Sequence, residues 1–247
     1  MRGSPGTYRS GHTDSHTSGH TGTGPRPREE TGDLSELLRG LEVFAGELPG
    51  FDPSAAPDTP VELFTEWLRH ALRSGVREPH AMTLSTADHE GDPVARTLIL
   101  KGVDQDGWRF AADRTSPKGR QLAARPYAAL TFYWPPLARQ VRVRGPVVTE
   151  DAGRSTADFL ARGAGARAEA LLERQSEPLT DLGERDRAVA ASLARLDREP
   201  GLVPSGWTLH TVRPESVEFW QGDKERRHTR LRYTPGATGW HRELLWP

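Results

Sequence analysis

The sequence predicts an α+β chain organised around an antiparallel β-barrel. Two observations carry this. From Ala81 onward, short runs of residues alternate apolar and polar with period two, the pattern of strands that turn one face to a core. Helical stretches are set between these consecutive short strands, an arrangement typical of α+β barrels. Turn chemistry at His89–Gly91 and Asp104–Gly107 joins the first strands as hairpins.

The elements follow in order. Residues 1–33 are Gly, Ser, Thr, His and Pro with almost no apolar content, so they cannot offset their ordering entropy and are expected to be a disordered tail. Within it His12, His16 and His20 recur every four residues, but the intervening glycines argue against a metal-binding helix. Residues 34–58 form an N-terminal segment and linker, with an amphipathic helix over Leu34–Phe44 and a Pro-rich connector over Phe51–Asp58. The main domain spans 59–247. It opens on a helix with Thr59 as N-cap, Pro60 at the first position and Glu62 completing a capping box. Leu63/Phe64, Trp67/Leu68 and Ala71/Leu72 stack as its apolar stripe, and Gly75 ends it. Strands are predicted over Ala81–Ser85, Ala95–Lys101, Trp108–Ala112, Ala128–Trp134 and Gln140–Val148. A short helix starts at Ser116-Pro117-Lys118 and stops before Pro126. Helices over Thr156–Ala161, Ala166–Arg174 and Glu184–Leu196 precede strands over Trp207–Arg213, Val217–Trp220, Arg227–Tyr233 and Trp240–Leu245.

Composition bounds the chemistry. The 247-residue chain has a formal net charge of -1, so no bulk field favours nucleic acid or a membrane. Cysteine is absent, which removes disulfides, thiolate nucleophiles and Cys-ligated metals. No apolar run approaches the roughly 20 residues that span a bilayer, and no secretory h-region is present. A soluble, cytoplasmic protein is expected. No nucleophile elbow and no metal-ligand spacing appears.

Several cationic clusters remain. Arg96 and Lys101 bracket an apolar strand, as two snorkelling end residues or as ligands for one anion. Ser116 and Pro117 leave free backbone N–H groups at a helix start beside Lys118, which suits a phosphate but also describes an ordinary capped helix. Gln140, Arg142 and Arg144 line one face of a strand whose valines point inward, and Arg174-Gln175-Ser176 follow a helix. In Glu218 to Arg230, an extended backbone places Arg226, His228 and Arg230 on one face. Such a face is either a solvated edge or one that faces an anionic partner.

Taken together and in order, these pieces resemble the pyridoxamine 5'-phosphate oxidase family, over about Pro60 to Pro247. The resemblance implies an FMN-binding split β-barrel with flanking helices, working as a homodimer with FMN at the subunit interface. It implies that Arg96, Thr97, Leu98, Ile99, Leu100, Lys101, Ala111, Ala112, Ser116, Lys118, Gln140, Gln175, Ser176, Trp220 and Arg230 hold FMN, with Gln175, Ser176, Trp220 and Arg230 reaching across the interface. Lys101, Arg162, Arg226 and His228 would face the substrate, with Arg226 and His228 as the catalytic pair. Pro117 stands where the family has an arginine, and Asp158 and Ala166 stand where it grips a substrate phosphate with tyrosine and serine. Gly75–Pro79, Ser116–Ala123, Tyr133-Trp134 and Arg174–Glu177 are similar to the phenazine-biosynthesis branch, which lacks the lysine kept here at 101. The main expectation is therefore an oxidase of a reduced nitrogen heterocycle that uses FMN and dioxygen and releases hydrogen peroxide. The alternatives are pyridoxamine/pyridoxine 5'-phosphate oxidation and flavin binding without turnover.

Overall fold

The computed structural model describes residues 33–247, in two compact units divided after Glu42. The tail expected over 1–33 and its histidines lie, up to residue 32, outside the described residues. In the first unit, α1 (Leu34–Gly40) is capped by the Asp33 carboxylate, which accepts from Ser35 N at 3.0 Å. It stops four residues short of the expected end, because Leu41 is extended.

The second unit begins with α2 (Pro60–Arg73). Thr59 Oγ1 accepts from Glu62 N at 3.3 Å and donates to Glu62 Oε2 at 2.7 Å, so the box closes through the hydroxyl. The helix ends as a Schellman motif. Gly75 has φ +70°, Val76 N reaches Ala71 O at 3.0 Å and Gly75 N reaches Leu72 O at 3.2 Å. Leu63, Phe64, Trp67 and Ala71 are buried, whereas Leu72 points outward, contrary to its expected place in the stripe.

The strands are β1 (Ala81–Ala87), β2 (Pro93–Ile99), β3 (Gly102–Asp104), β4 (Gly107–Asp113), β5 (Tyr127–Trp134), β6 (Arg139–Thr149), β7 (Trp207–Val212), β8 (Ser216–Gln221), β9 (Thr229–Gly236) and β10 (Gly239–Leu245). All pairings are antiparallel, and the main path runs β10-β9-β8-β6-β5-β1-β2. The curl comes from β6, which branches. Arg139–Arg144 pair with β8, and Val147–Thr149 pair with β7, which continues to β4 and β3. Gly145 sits at the branch, where a Cβ would lie 1.9 Å from Arg213 O, so only a bare backbone fits.

Helices fill the gaps: α3 (Pro117–Ala124), α4 (Ala152–Leu160), α5 (Ala164–Ala170) and α6 (Leu182–Arg198). The core is aromatic. Phe64 of α2 meets Phe132 and Trp108 edge-on at centroid distances of 4.9 and 5.4 Å. The polar ends of buried rings are paired, with Trp134 Nε1 donating to Pro79 O at 2.9 Å and Tyr233 donating to Pro57 O at 2.7 Å. No helix among the described residues is long and apolar enough to cross a membrane.

Two strand expectations change. β2 ends at Ile99, so Lys101, expected as its last residue, lies beyond the strand that holds Arg96. The run expected from Arg227 begins only at Thr229, because Arg226 lies in a turn with φ +65°. Arg226, His228 and Arg230 therefore do not form one strand face.

Candidate active site

A cleft of about 730 Å³ opens between the sheet and the helical segment. Its floor comes from Thr97, Leu98 and Ile99 at the end of β2, from Lys101, and from Ala111 and Ala112 in β4. Leu100 is buried beside them.

One end of the cleft is the start of α3. Ser116 caps the helix, its Oγ accepting from Gly119 N at 3.2 Å and donating to Asp113 O at 2.6 Å. Gly119 lets the helix start press against the loop after β4, where a Cβ would fall 2.3 Å from Asp113 O. Lys118 is buried, and its ammonium meets Ser116 Oγ at 3.3 Å and the Gln175 amide oxygen, both neutral acceptors. Burial pushes its pKa down, and the nearby Arg96 guanidinium adds to the shift. Arg96 donates to Thr86 Oγ1 at 2.6 Å, Gln121 Oε1 at 3.0 Å and Leu84 O at 3.4 Å, again without a carboxylate, and burial lowers its pKa. Among the described residues, no carboxylate lies within 4.0 Å of either cation. Two desolvated cations and a free helix N-terminus fit the phosphate of a nucleotide such as FMN.

The other end is lined by Lys101, Arg162, Ala166 and Trp207, with Asp158 standing behind Lys101 and Trp207. Lys101 Nζ lies 3.4 Å from Asp158 Oδ1, and Asp158 Oδ2 accepts from Trp207 Nε1 at 2.9 Å. The Arg162 guanidinium stacks 4.3 Å from the centre of the Trp207 ring and donates to Ala166 O at 3.0 Å. Its Nε is buried without a partner, and burial lowers its pKa.

A second group sits elsewhere on the sheet and lines no part of this cleft. Trp220 is opposite Gln140 across β6–β8 and opposite Arg230 across β8–β9. Its ring is 5.0 Å from that of His228 and 5.9 Å from that of Phe44. His228 Nδ1 accepts from Asp223 N at 3.0 Å, so the neutral ring carries its proton on Nε2. Arg230 already has an anion, since Glu218 Oε1 accepts from its Nε at 2.9 Å, and Trp246 O accepts at 2.7 Å. The Arg226 side chain is exposed.

The structure thus gathers Thr97, Leu98, Ile99, Lys101, Ala111, Ala112, Lys118, Arg162 and Gln175 around the cleft. Ser176 lies in an adjoining depression with Pro117 and Arg120. Gln175, expected to reach across to a second subunit, meets Lys118 of its own chain. Arg139, at the start of β6, is a core residue. It is 4% exposed, stacks 4.2 Å over Trp67 and donates to Gln221 Oε1 at 2.8 Å, and burial lowers its pKa to about 10. Trp207, Glu169 and Glu173 also line the cleft and were missed. The tryptophan at a strand start was the one available signal.

Comparison with known proteins adds the following. Residues 68–189 match the family model described as pyridoxamine 5'-phosphate oxidase. Residues 207–247 match the model of the pyridoxine 5'-phosphate oxidase C-terminal dimerisation region. A pyridoxine/pyridoxamine 5'-phosphate oxidase of Rubrobacter xylanophilus is 41% identical over 196 residues, covering 79% of this chain and 90% of that protein. One from Ectopseudomonas mendocina is 40% identical over 200 residues, covering 80% and 93%. PhzG from Burkholderia lata 383, solved with tetrahydrophenazine-1-carboxylic acid, aligns with a TM-score of 0.75 at 27% identity, over 82% of this chain and 100% of that one. A pyridoxamine 5'-phosphate oxidase-related, FMN-binding protein from Nostoc punctiforme aligns with a TM-score of 0.60 at 20% identity, over 78% and 100%, and shares the fold.

Proposed function

This chain belongs to the pyridoxamine 5'-phosphate oxidase family, and from that premise we propose that it is an FMN-dependent oxidase of pyridoxine and pyridoxamine 5'-phosphate, active as a homodimer. The observation that carries the reading is a pair of cations, the buried Lys118 and the half-buried Arg96, with no carboxylate within 4.0 Å among the described residues, beside the N-terminus of α3 at one end of a substrate-sized cleft. They would hold the FMN phosphate, with Ser116 fixing the helix start. Thr97–Ile99 and Ala111–Ala112 present backbone and small side chains on which a flat ring can lie. The chemistry that FMN would supply here is a hydride acceptor that dioxygen could reoxidise, with hydrogen peroxide as product.

The chain's own residues bind and orient. Lys101 and Arg162 offer cations at the substrate end, with Arg162 held in place by the Trp207 indole. Arg226 and His228 would complete the site in the dimer. His228 then acts as an Nε2–H donor, because Nδ1 is occupied by the Asp223 N–H. Glu218 offsets the charge of Arg230, so Arg230 brings the cofactor a directed hydrogen bond more than a net charge.

A second reading is oxidation of a reduced tricyclic carboxylate. It is supported by the Asp158–Lys101 pair and by the likeness to PhzG. One assay separates the two. Purified protein should carry FMN and release peroxide with pyridoxine 5'-phosphate at ordinary enzyme rates. A flavin-loaded sample that leaves this compound untouched overturns the first reading.

A further inference from the structure

At the substrate end, part of the positive charge of the cleft is already met by this chain's own carboxylates. Lys101 and Arg162 supply two cations. Asp158 lies 3.4 Å from Lys101, with side-chain exposures of 24% for the lysine and 13% for the aspartate. The aspartate is the more hidden partner, while Lys101 remains open to the cleft. Burial lowers the pKa of Arg162, and the carboxylates of Asp158 and Glu169 both oppose the shift, which places two negative charges close to this guanidinium. Asp158 is also anchored, since its second oxygen accepts from Trp207 Nε1 at 2.9 Å.

A phosphate monoester carries about -1.5 to -2 charges at pH 7. Asp158 and Glu169 offset much of the charge that Lys101 and Arg162 would bring to it, although Glu169 also lies near Arg185, a further cation of the cleft lining. We propose that Asp158 is a selectivity residue. It acts as an internal anion on Lys101, which a phosphate ester has to displace and a neutral or singly charged ring substrate does not. The inference rests on the cleft being the substrate site of an FMN oxidase. It means that a phosphorylated substrate enters against a built-in competitor, with weaker affinity than Lys101 and Arg162 alone would give.

The test uses the FMN-loaded protein and D158N. Asparagine keeps an acceptor for the Trp207 N–H and removes the charge. Calorimetry gives Kd for inorganic phosphate, and peroxide release gives KM and kcat for pyridoxine 5'-phosphate. D158N should bind phosphate roughly tenfold more tightly and lower KM for pyridoxine 5'-phosphate to match. Binding of unphosphorylated pyridoxine should not move. E169Q should shift phosphate binding in the same direction by less. A D158N protein that melts like wild type but has unchanged phosphate Kd and KM overturns the proposal. If D158N melts well below wild type, E169Q decides, and an unchanged phosphate Kd there sinks the charge argument. If neither protein oxidises pyridoxine 5'-phosphate, the substrate assignment fails, while the phosphate Kd still decides the role of Asp158.

Discussion

Replacing Lys118 with methionine sets two effects of opposite sign against each other. The ammonium is buried, and among the described residues it meets only the neutral acceptors Ser116 Oγ and Gln175 Oε1. Without cofactor, that charge costs stability, because burial and the Arg96 guanidinium outweigh the attraction of the more distant Asp113 carboxylate. Burial also holds its pKa below 10.5. The unfolded chain therefore binds the proton more tightly, and the stability cost is relieved only as pH rises toward 10.5. Methionine has a similar length and no charge, so the apoprotein should gain about 1–3 kcal/mol. For a chain of this size that is a rise in Tm of about 3–10 °C. The FMN-bound state should lose a charge-assisted bond to phosphate worth about 1.5–3 kcal/mol, a rise in Kd of roughly 10- to 150-fold. Thermal melts of the apoprotein and flavin-fluorescence titration read the two effects separately. A lower apo Tm together with an unchanged FMN Kd would refute the reasoning, because Lys118 would then be a structural residue already satisfied by its neighbours.

Other expectations follow from single contacts. His210 is buried, its Nε2 has no partner, and burial lowers its pKa from 6.5 to about 4. Its contribution is intact above pH 6.5 and is lost as pH falls toward 4, so H210F should remove about 2–3 kcal/mol of acid sensitivity between urea midpoints at pH 7 and 4.5. G145A should cost about 3 kcal/mol or more, seen as a large drop in Tm, because its Cβ would meet Arg213 O at 1.9 Å. R162K keeps the charge but loses the flat stack on Trp207, 4.3 Å away, so KM should rise while FMN binding stays the same. Unchanged kinetics would show that the stack does not orient substrate.

The order of elements was legible because period-two patterning and capping signals are local. Thr59, Ser116 and Gly75 act where the sequence places them. That residues around β2 and the start of α3 lie together was legible too, since they fall within continuous segments. Three things were not. β3 has only three residues, too few to show a period. The face expected from Arg226 to Arg230 failed because a left-handed turn at Arg226 breaks the alternation, and no neighbouring proline or glycine marks it. The electrostatic surroundings of Arg230, Lys101 and Arg139 depend on partners distant in sequence (Glu218, Asp158 and Gln221), which only the sheet register and helix placement bring near.

β6 has a consequence beyond its place in the sheet. It bonds to β5 over Arg139–Pro146, to β8 through its first half and to β7 through its last residues. Trp220 therefore takes its position from one end of the strand, and β7, leading to Trp207, takes its position from the other. Gln140 and Val148 are eight residue steps apart on the strand, roughly 25 Å. Neither half can slip by one residue without turning Val141 and Val143 out of the core. The strand is thus a fixed gauge: it holds the Trp220–His228 group and the cleft at a constant separation, so the monomer cannot close one upon the other by sliding strands.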